Sequence, residues 1–154
     1  MKRTIFIICV LMLVLAFSGS LFAKETVRIG LIVPLTGDVK TFGESYKNAF
    51  SLALEEYVKK GKYTIDPVIA DDKNDPTEGT NAALKLMTQD KVTAVIGPMT
   101  SKVAIPVSEL ATKQKVPLVT GTATNPKVTI SDGKRKPYVF RACFIDPFQG
   151  TVAA

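Results

Sequence analysis

Short β-branched apolar runs alternate with amphipathic stretches from Thr26 onward, and few architectures accommodate such an order. The first run, TVRIGLIV at Thr26–Val33, is almost continuously apolar, as expected of a strand covered on both faces. GESYKNAFSLALEEYVKK follows. Its Tyr46, Ala49, Phe50, Ala53, Leu54 and Tyr57 recur at three- and four-residue spacing, which predicts an amphipathic helix stopped at Gly61. A second strand, YTIDPVIA, contains Pro67, which has no N–H to give a ladder and so places this strand at a sheet edge. In NDPTEGTNAALKLMTQD, Asp75 suits an N-cap, Pro76 the first helical position and Glu78 the third, while Ala83, Leu86 and Met87 share one face. VTAVIG reads as a third strand, KVAIPVSELATKQK as a helix that takes Pro106 early or kinks there, VPLVTG as a fourth strand and YVFRAC as a fifth. No internal repeat or low-complexity tract interrupts the order. Such units close right-handed and build a parallel sheet. The expected fold is therefore α/β, a doubly wound parallel sheet with strand order 2-1-3-4-5.

The first 23 residues stand outside that pattern. MKR supplies a positive start, TIFIICVLMLVLAF an uncharged apolar run, and SGSLFA small residues for cleavage after Ala23 or alternatively Ser20. At about 14 residues the run falls short of the ~20 a spanning helix needs, so 1–23 reads as a signal peptide rather than an anchor. Cys9 lies inside the run, so no lipobox marks the cut. Residues 24–154 are then the mature chain, about one domain's worth. Loss of Lys2 and Arg3 removes two charges from the formal +6. The basic residues are spread out, with GKRKP at Gly133–Pro137 their one short cluster; nucleic acid is not an expected partner, and the cluster reads as a solvated turn. Cys143 is the one cysteine left after processing, so no intramolecular disulfide can form. Its apolar neighbours in VFRACFID predict burial as a small hydrophobe. DPFQGTVAA opens a helix at Asp146 and Pro147 and then stops, as a piece of a longer protein would.

In a doubly wound sheet, ligands sit beyond the carboxyl ends of the strands where the order reverses, here between strands one and three. That singles out the loops PLTGDVKTFG, GPMTS and TGTATNP. The chain has no His, so Ser-His-Asp and Cys-His catalysis are excluded, and nothing marks a Ser-Lys or carboxylate mechanism. Gly30, Gly37 and Gly43 match neither a dinucleotide fingerprint nor a phosphate loop. Asp71, Asp72 and Asp75 in DDKNDP could gather round a hard cation, but they lack EF-hand spacing and read as a solvated helix-start loop; no metal or cofactor is expected. The three loops suit a small zwitterion instead. Ser101 opens a helix, where a hydroxyl and free N–H groups at the positive end favour a carboxylate. The main-chain carbonyl at Thr122 and the hydroxyl of Thr124 can accept from an ammonium, and the small side chains of TGTATNP let a ligand approach the backbone. Phe42 can wall the pocket, while Asn125 and Pro126 hold the turn. Each of these residues has an ordinary role when taken singly: helix cap, turn residue or hydrophobic staple. Their convergence on one crevice argues for a site.

Four segments, VRIGLIVPLTGDVKTFGESYKNAFSLALEE, VTAVIGPMTS, VPLVTGTATNP and YVFRACFIDPFQG, together resemble the extracytoplasmic solute-binding proteins of the branched-chain amino acid type, the Leu/Ile/Val-binding proteins of ABC importers. The resemblance covers essentially all of residues 24–154. It implies a lobe of a type I periplasmic binding protein. Family members have two α/β lobes that close on ligand like a hinged clamp, and the resemblance reaches only the first. It implies that Ser101 and the Thr124 N–H hold the ligand carboxylate, that the Thr122 carbonyl and Thr124 hydroxyl meet the ammonium, and that Phe42 covers the ligand without offering a phenolic hydrogen bond. Thr122 and Ala123 stand where small residues are usual. The second lobe would supply an acidic partner for the ammonium; without it the chain holds half a site and should bind weakly. The implied role is capture of a small amino acid or related amide and its presentation to a membrane permease, with no chemistry of its own. A ligand-sensing receptor ectodomain and an exported α/β hydrolase or transferase remain open alternatives.

Overall fold

The structure is a computed structural model that describes residues 24–153, so the signal peptide read at 1–23 lies outside the described residues. The strands are Thr26–Val33 (β1), Thr64–Asp71 (β2), Ala94–Ile96 (β3), Leu118–Thr120 (β4), Ile130–Ser131 (β5), Lys134–Arg135 (β6) and Val139–Arg141 (β7). The helices are Lys40–Lys60 (α1), Pro76–Thr88 (α2), Ser101–Gln114 (α3) and Asp146–Ala153 (α4). Five strands form one sheet in the order β2-β1-β3-β4-β7, every pair parallel, which is the expected 2-1-3-4-5 winding with β7 as the fifth strand. β2 is the edge strand, and Pro67 pairs opposite Ile29 there.

The apolar run of β1 is continuous because both of its faces are covered. Leu31 and Val33 pack with Phe50 of α1 on one side, whereas Ile32 joins Leu86 of α2 and Val103 and Val107 of α3 on the other. Leu31, Ile32 and Val33 are all fully buried, and each such side chain contributes about 1.5–3 kcal/mol on leaving water. α2 and α3 lie side by side on their face. Ala83, Leu86 and Met87 point into the core as their spacing requires. Asp75 caps α2, its Oδ1 accepting from the N–H groups of Thr77 at 2.8 Å and Glu78 at 3.0 Å.

Several expectations need correction. α1 begins at Lys40, and its inward stripe is Gly43, Tyr46, Phe50 and Leu54, with Ala49 and Ala53 exposed. The stop at Gly61 is as expected, with the residue in an extended conformation where a Cβ would run into the Tyr57 ring. The GKRKP segment holds the turn residue Gly133 and strand β6 of a β5–β6 hairpin, and it is solvated as expected except at Lys136. Lys134 and Arg135 are exposed, but the Lys136 ammonium is buried and bonded to Ser108 Oγ at 2.8 Å, the Lys127 carbonyl at 2.7 Å and Glu109 at 2.6 Å. Cys143 is half-exposed, because it lies past the last residue of β7, where the sheet no longer covers it. The Asp71–Asp72 pair is engaged rather than solvated, as described below.

Candidate functional site

Three loops leave the carboxyl ends of β1, β3 and β4, and hydrogen bonds between side chains and backbone join them. Asp71, the last residue of β2, accepts from the Leu35 N–H at 2.8 Å, the Thr36 hydroxyl at 2.6 Å and the Lys73 N–H at 2.9 Å, which fixes the loop after β1. Burial alone would raise the Asp71 carboxyl, but these donors hold it below the ordinary carboxylate value. Asp72 goes the other way: burial raises it, the Asn74 N–H opposes that, and the charge on Asp71 adds to it.

The loops after β3 and β4 are joined at three points. The Thr120 hydroxyl donates to the Pro98 carbonyl at 2.8 Å, the Thr122 hydroxyl donates to the Met99 carbonyl at 2.8 Å, and the Asn125 N–H donates to Ser101 Oγ at 3.2 Å. Gly97 begins the second loop with φ +95, a conformation that favours glycine, and a Cβ there would run into the Ile32 carbonyl oxygen. Thr100 is the N-cap of α3, but its hydroxyl donates to Asn74 Oδ1 at 2.8 Å, so Ser101 is the first helical residue and its own O–H is left to donate. An anion at this point meets a hydroxyl and the positive end of a 14-residue helix.

Of the residues singled out in the sequence, Phe42 and Thr122 line one cavity of about 380 Å³ with Pro34, Val39, Met99 and Thr100. Phe42 is 65% exposed in the first turn of α1, free to contact whatever enters. Ser101 and the Thr122–Asn125 loop are brought into contact by the Asn125 bond. Thr124 is half-buried, with its carbonyl accepting from the Asp146 N–H at 3.2 Å. Ala123 is 1% exposed, and its carbonyl accepts from Arg141, so it underlies the crevice rather than lining it. Asn125 Oδ1 accepts from the Lys127 N–H at 2.9 Å and Pro126 opens a short 3-10 turn, both holding the loop as expected. Tyr46, expected only as part of the α1 stripe, also reaches the site: its hydroxyl lies against Gly121 and its pKa is raised by burial. Arg141 was not among the expected site residues, although a lone charge inside an otherwise apolar strand was the available signal.

A larger cavity, about 600 Å³, runs along the free edge of β7 beside Ile130, Tyr138 and Phe140. Two of its cations, buried Lys136 and half-buried Arg141, are already bonded to main-chain carbonyls, so it offers a ligand less than the strand-end crevice does. Among the described residues, no group of three or more His, Cys, Asp or Glu is placed to hold a metal ion, and no helix is long and apolar enough to cross a membrane.

A sequence model described as "Periplasmic binding protein" matches residues 26–154. The chain belongs to the periplasmic binding protein family. Among relatives of this family, a Leu/Ile/Val-binding protein of Rhizobium johnstonii is 39% identical over 145 residues, which cover 92% of this chain and 38% of the relative. Among solved structures, the branched-chain amino acid transporter substrate-binding protein of Streptococcus pneumoniae in complex with isoleucine superposes with TM-score 0.73 at 31% identity, covering 79% of this chain and 35% of that one. An ABC-transporter solute-binding protein of Rhodopseudomonas palustris in complex with 3,4-dihydroxybenzoic acid superposes with TM-score 0.70 at 30% identity, covering 78% and 32%. The chain thus spans well under half the length of the periplasmic binding proteins it matches.

Proposed function

We propose that this chain is the N-terminal lobe of a two-lobed, exported solute-binding protein that captures a branched-chain amino acid and presents it to the membrane permease of an ABC importer. Capture, not turnover, is the role. Export is assigned to the signal peptide at 1–23 and the lobe to 24–154. The observation that carries this reading is the contact between Ser101, at the start of α3, and the Thr122–Asn125 loop: a hydroxyl donor and a helix N-terminus meet a loop of small residues beside the switch point of the sheet. The likeness to Leu/Ile/Val-binding relatives supports the ligand class. In this reading Ser101 and the Thr124 N–H take the carboxylate, the Thr122 carbonyl and the Thr124 hydroxyl take the ammonium, Phe42 covers the side chain, and Ala123 supports the loop from beneath.

A second cargo, an aromatic carboxylate, draws on the dihydroxybenzoate-bound relative and on the apolar lining of Pro34, Val39, Phe42 and Met99. Calorimetric titration of the complete gene product separates the two. Leucine, isoleucine or valine should bind at a single site and 3,4-dihydroxybenzoate should not. Ser101→Ala should lose one charge-assisted hydrogen bond, about 1.5–3 kcal/mol, or roughly 10–150-fold in affinity. Equal affinity in wild type and Ser101→Ala would rule out this site.

A further inference from the structure

Arg141 is a lone charge in β7, and its guanidinium turns to the ligand loop rather than to a carboxylate. Nη1 donates to the Ala123 carbonyl at 2.6 Å, and Nη2 donates to the Asn125 carbonyl at 3.1 Å and to Thr129 Oγ1 at 2.9 Å. One planar, permanently charged fork therefore grips the carbonyls on either side of Thr124. The rest of this stretch is also paired. The Ala123 N–H donates to Thr120 Oγ1 at 3.4 Å, the Thr124 carbonyl accepts from the Asp146 N–H at 3.2 Å, and the Asn125 N–H donates to Ser101 Oγ at 3.2 Å. Among the described residues, the Thr124 N–H is then the one main-chain polar group of Ala123–Asn125 without a partner.

Its direction follows from the peptide plane. The Ala123 carbonyl and the Thr124 N–H belong to one trans peptide unit and point opposite ways, so drawing the carbonyl onto Arg141 turns the N–H away from the guanidinium. We propose that Arg141 is a positioning residue for ligand capture. By holding the Ala123 and Asn125 carbonyls it keeps the Thr124 N–H aimed out of the loop, one residue from the Ser101 contact, as a preformed donor for a carboxylate. The inference rests on the proposed capture of a carboxylate-bearing solute. Donors fixed before binding need no ordering when the ligand arrives, which is where the affinity is gained.

The test uses the complete gene product as wild type, Arg141→Met and Arg141→Lys, with leucine titration and amide hydrogen exchange of the ligand-free protein. An ammonium at Arg141→Lys cannot span both carbonyls, so both variants should lose about tenfold or more in leucine affinity. Exchange at the Asn125 N–H should rise by a similar factor, while the N–H groups of Val95 and Gly97, which bond the Pro117 and Val119 carbonyls, stay as in wild type. If Arg141→Met does not fold, Arg141→Lys, which keeps charge and stem, carries the test. Unchanged leucine affinity in folded variants, unchanged Asn125 exchange, or exchange rising equally at Val95 and Gly97 would each overturn the proposal. If wild type binds no branched-chain amino acid, the proposed function falls, and the exchange data alone decide whether Arg141 sets the loop.

Discussion

Asp71 ends β2 with its carboxylate turned onto the loop that leaves β1, where it gathers three donors. Its folded pKa lies below the ordinary value, so its contribution to stability is present above about pH 3.9, the unfolded value, and is lost as pH falls through the folded one. Asp71→Asn should cost about 1–3 kcal/mol at neutral pH in urea unfolding, and the difference from wild type should shrink on acidification below that value. Buried Asp72 has the opposite sign: its raised pKa means that ionisation disfavours the fold as pH rises. Asp71 was legible only as a member of an acidic cluster, because two of its three donors lie 35 and 36 residues away in Thr36 and Leu35. Ser101 was easier to read, since a hydroxyl at a helix start is a local signal. Arg141 was not, because its partners depend on which strand stands beside β4.

α1 shows how a helix and its inward Tyr46, Phe50 and Leu54 can be correctly expected and the stripe yet drawn too broad, with Ala49, Ala53 and Tyr57 exposed. Its apolar spacing marks an amphipathic helix, but the residue packed most tightly onto β1's exit is Gly43, which the periodicity does not count. A Cβ at Gly43 would collide with the Pro34 carbonyl oxygen, and backbone cannot move aside as a side chain can. Gly43→Ala should therefore destabilise by about 1–3 kcal/mol or more, read from urea midpoints. It should also push α1, and Phe42 with it, off the crevice. The long strands and three main helices were plain from period and capping residues. The hairpin of β5 and β6 was not, because two-residue strands carry no periodicity; the burial of Lys136 depends on Ser108 and Glu109 from α3.

The crevice exists because of strand order. Loops separated by tens of residues meet only when β1, β3 and β4 lie adjacent with their carboxyl ends aligned, and right-handed βαβ closure enforces that. Pro67 sufficed to place β2 at the edge, so the winding and the switch point could be read before any coordinates. The hydrogen bonds joining the loops could not, since they pair hydroxyls with carbonyls of no sequence signature. From β7 onward the surface turns apolar: Phe140, Phe144, Phe148 and Val152 are all more than half exposed, which accords with the proposed two-lobed protein. A crystal structure of the complete gene product with leucine tests the account at its root. We predict the leucine carboxylate within hydrogen-bond distance, about 2.7–3.2 Å, of both Ser101 Oγ and the Thr124 nitrogen, with Phe42 against the ligand. Leucine seated along the β7 edge, or with its carboxylate turned away from Ser101, would contradict it.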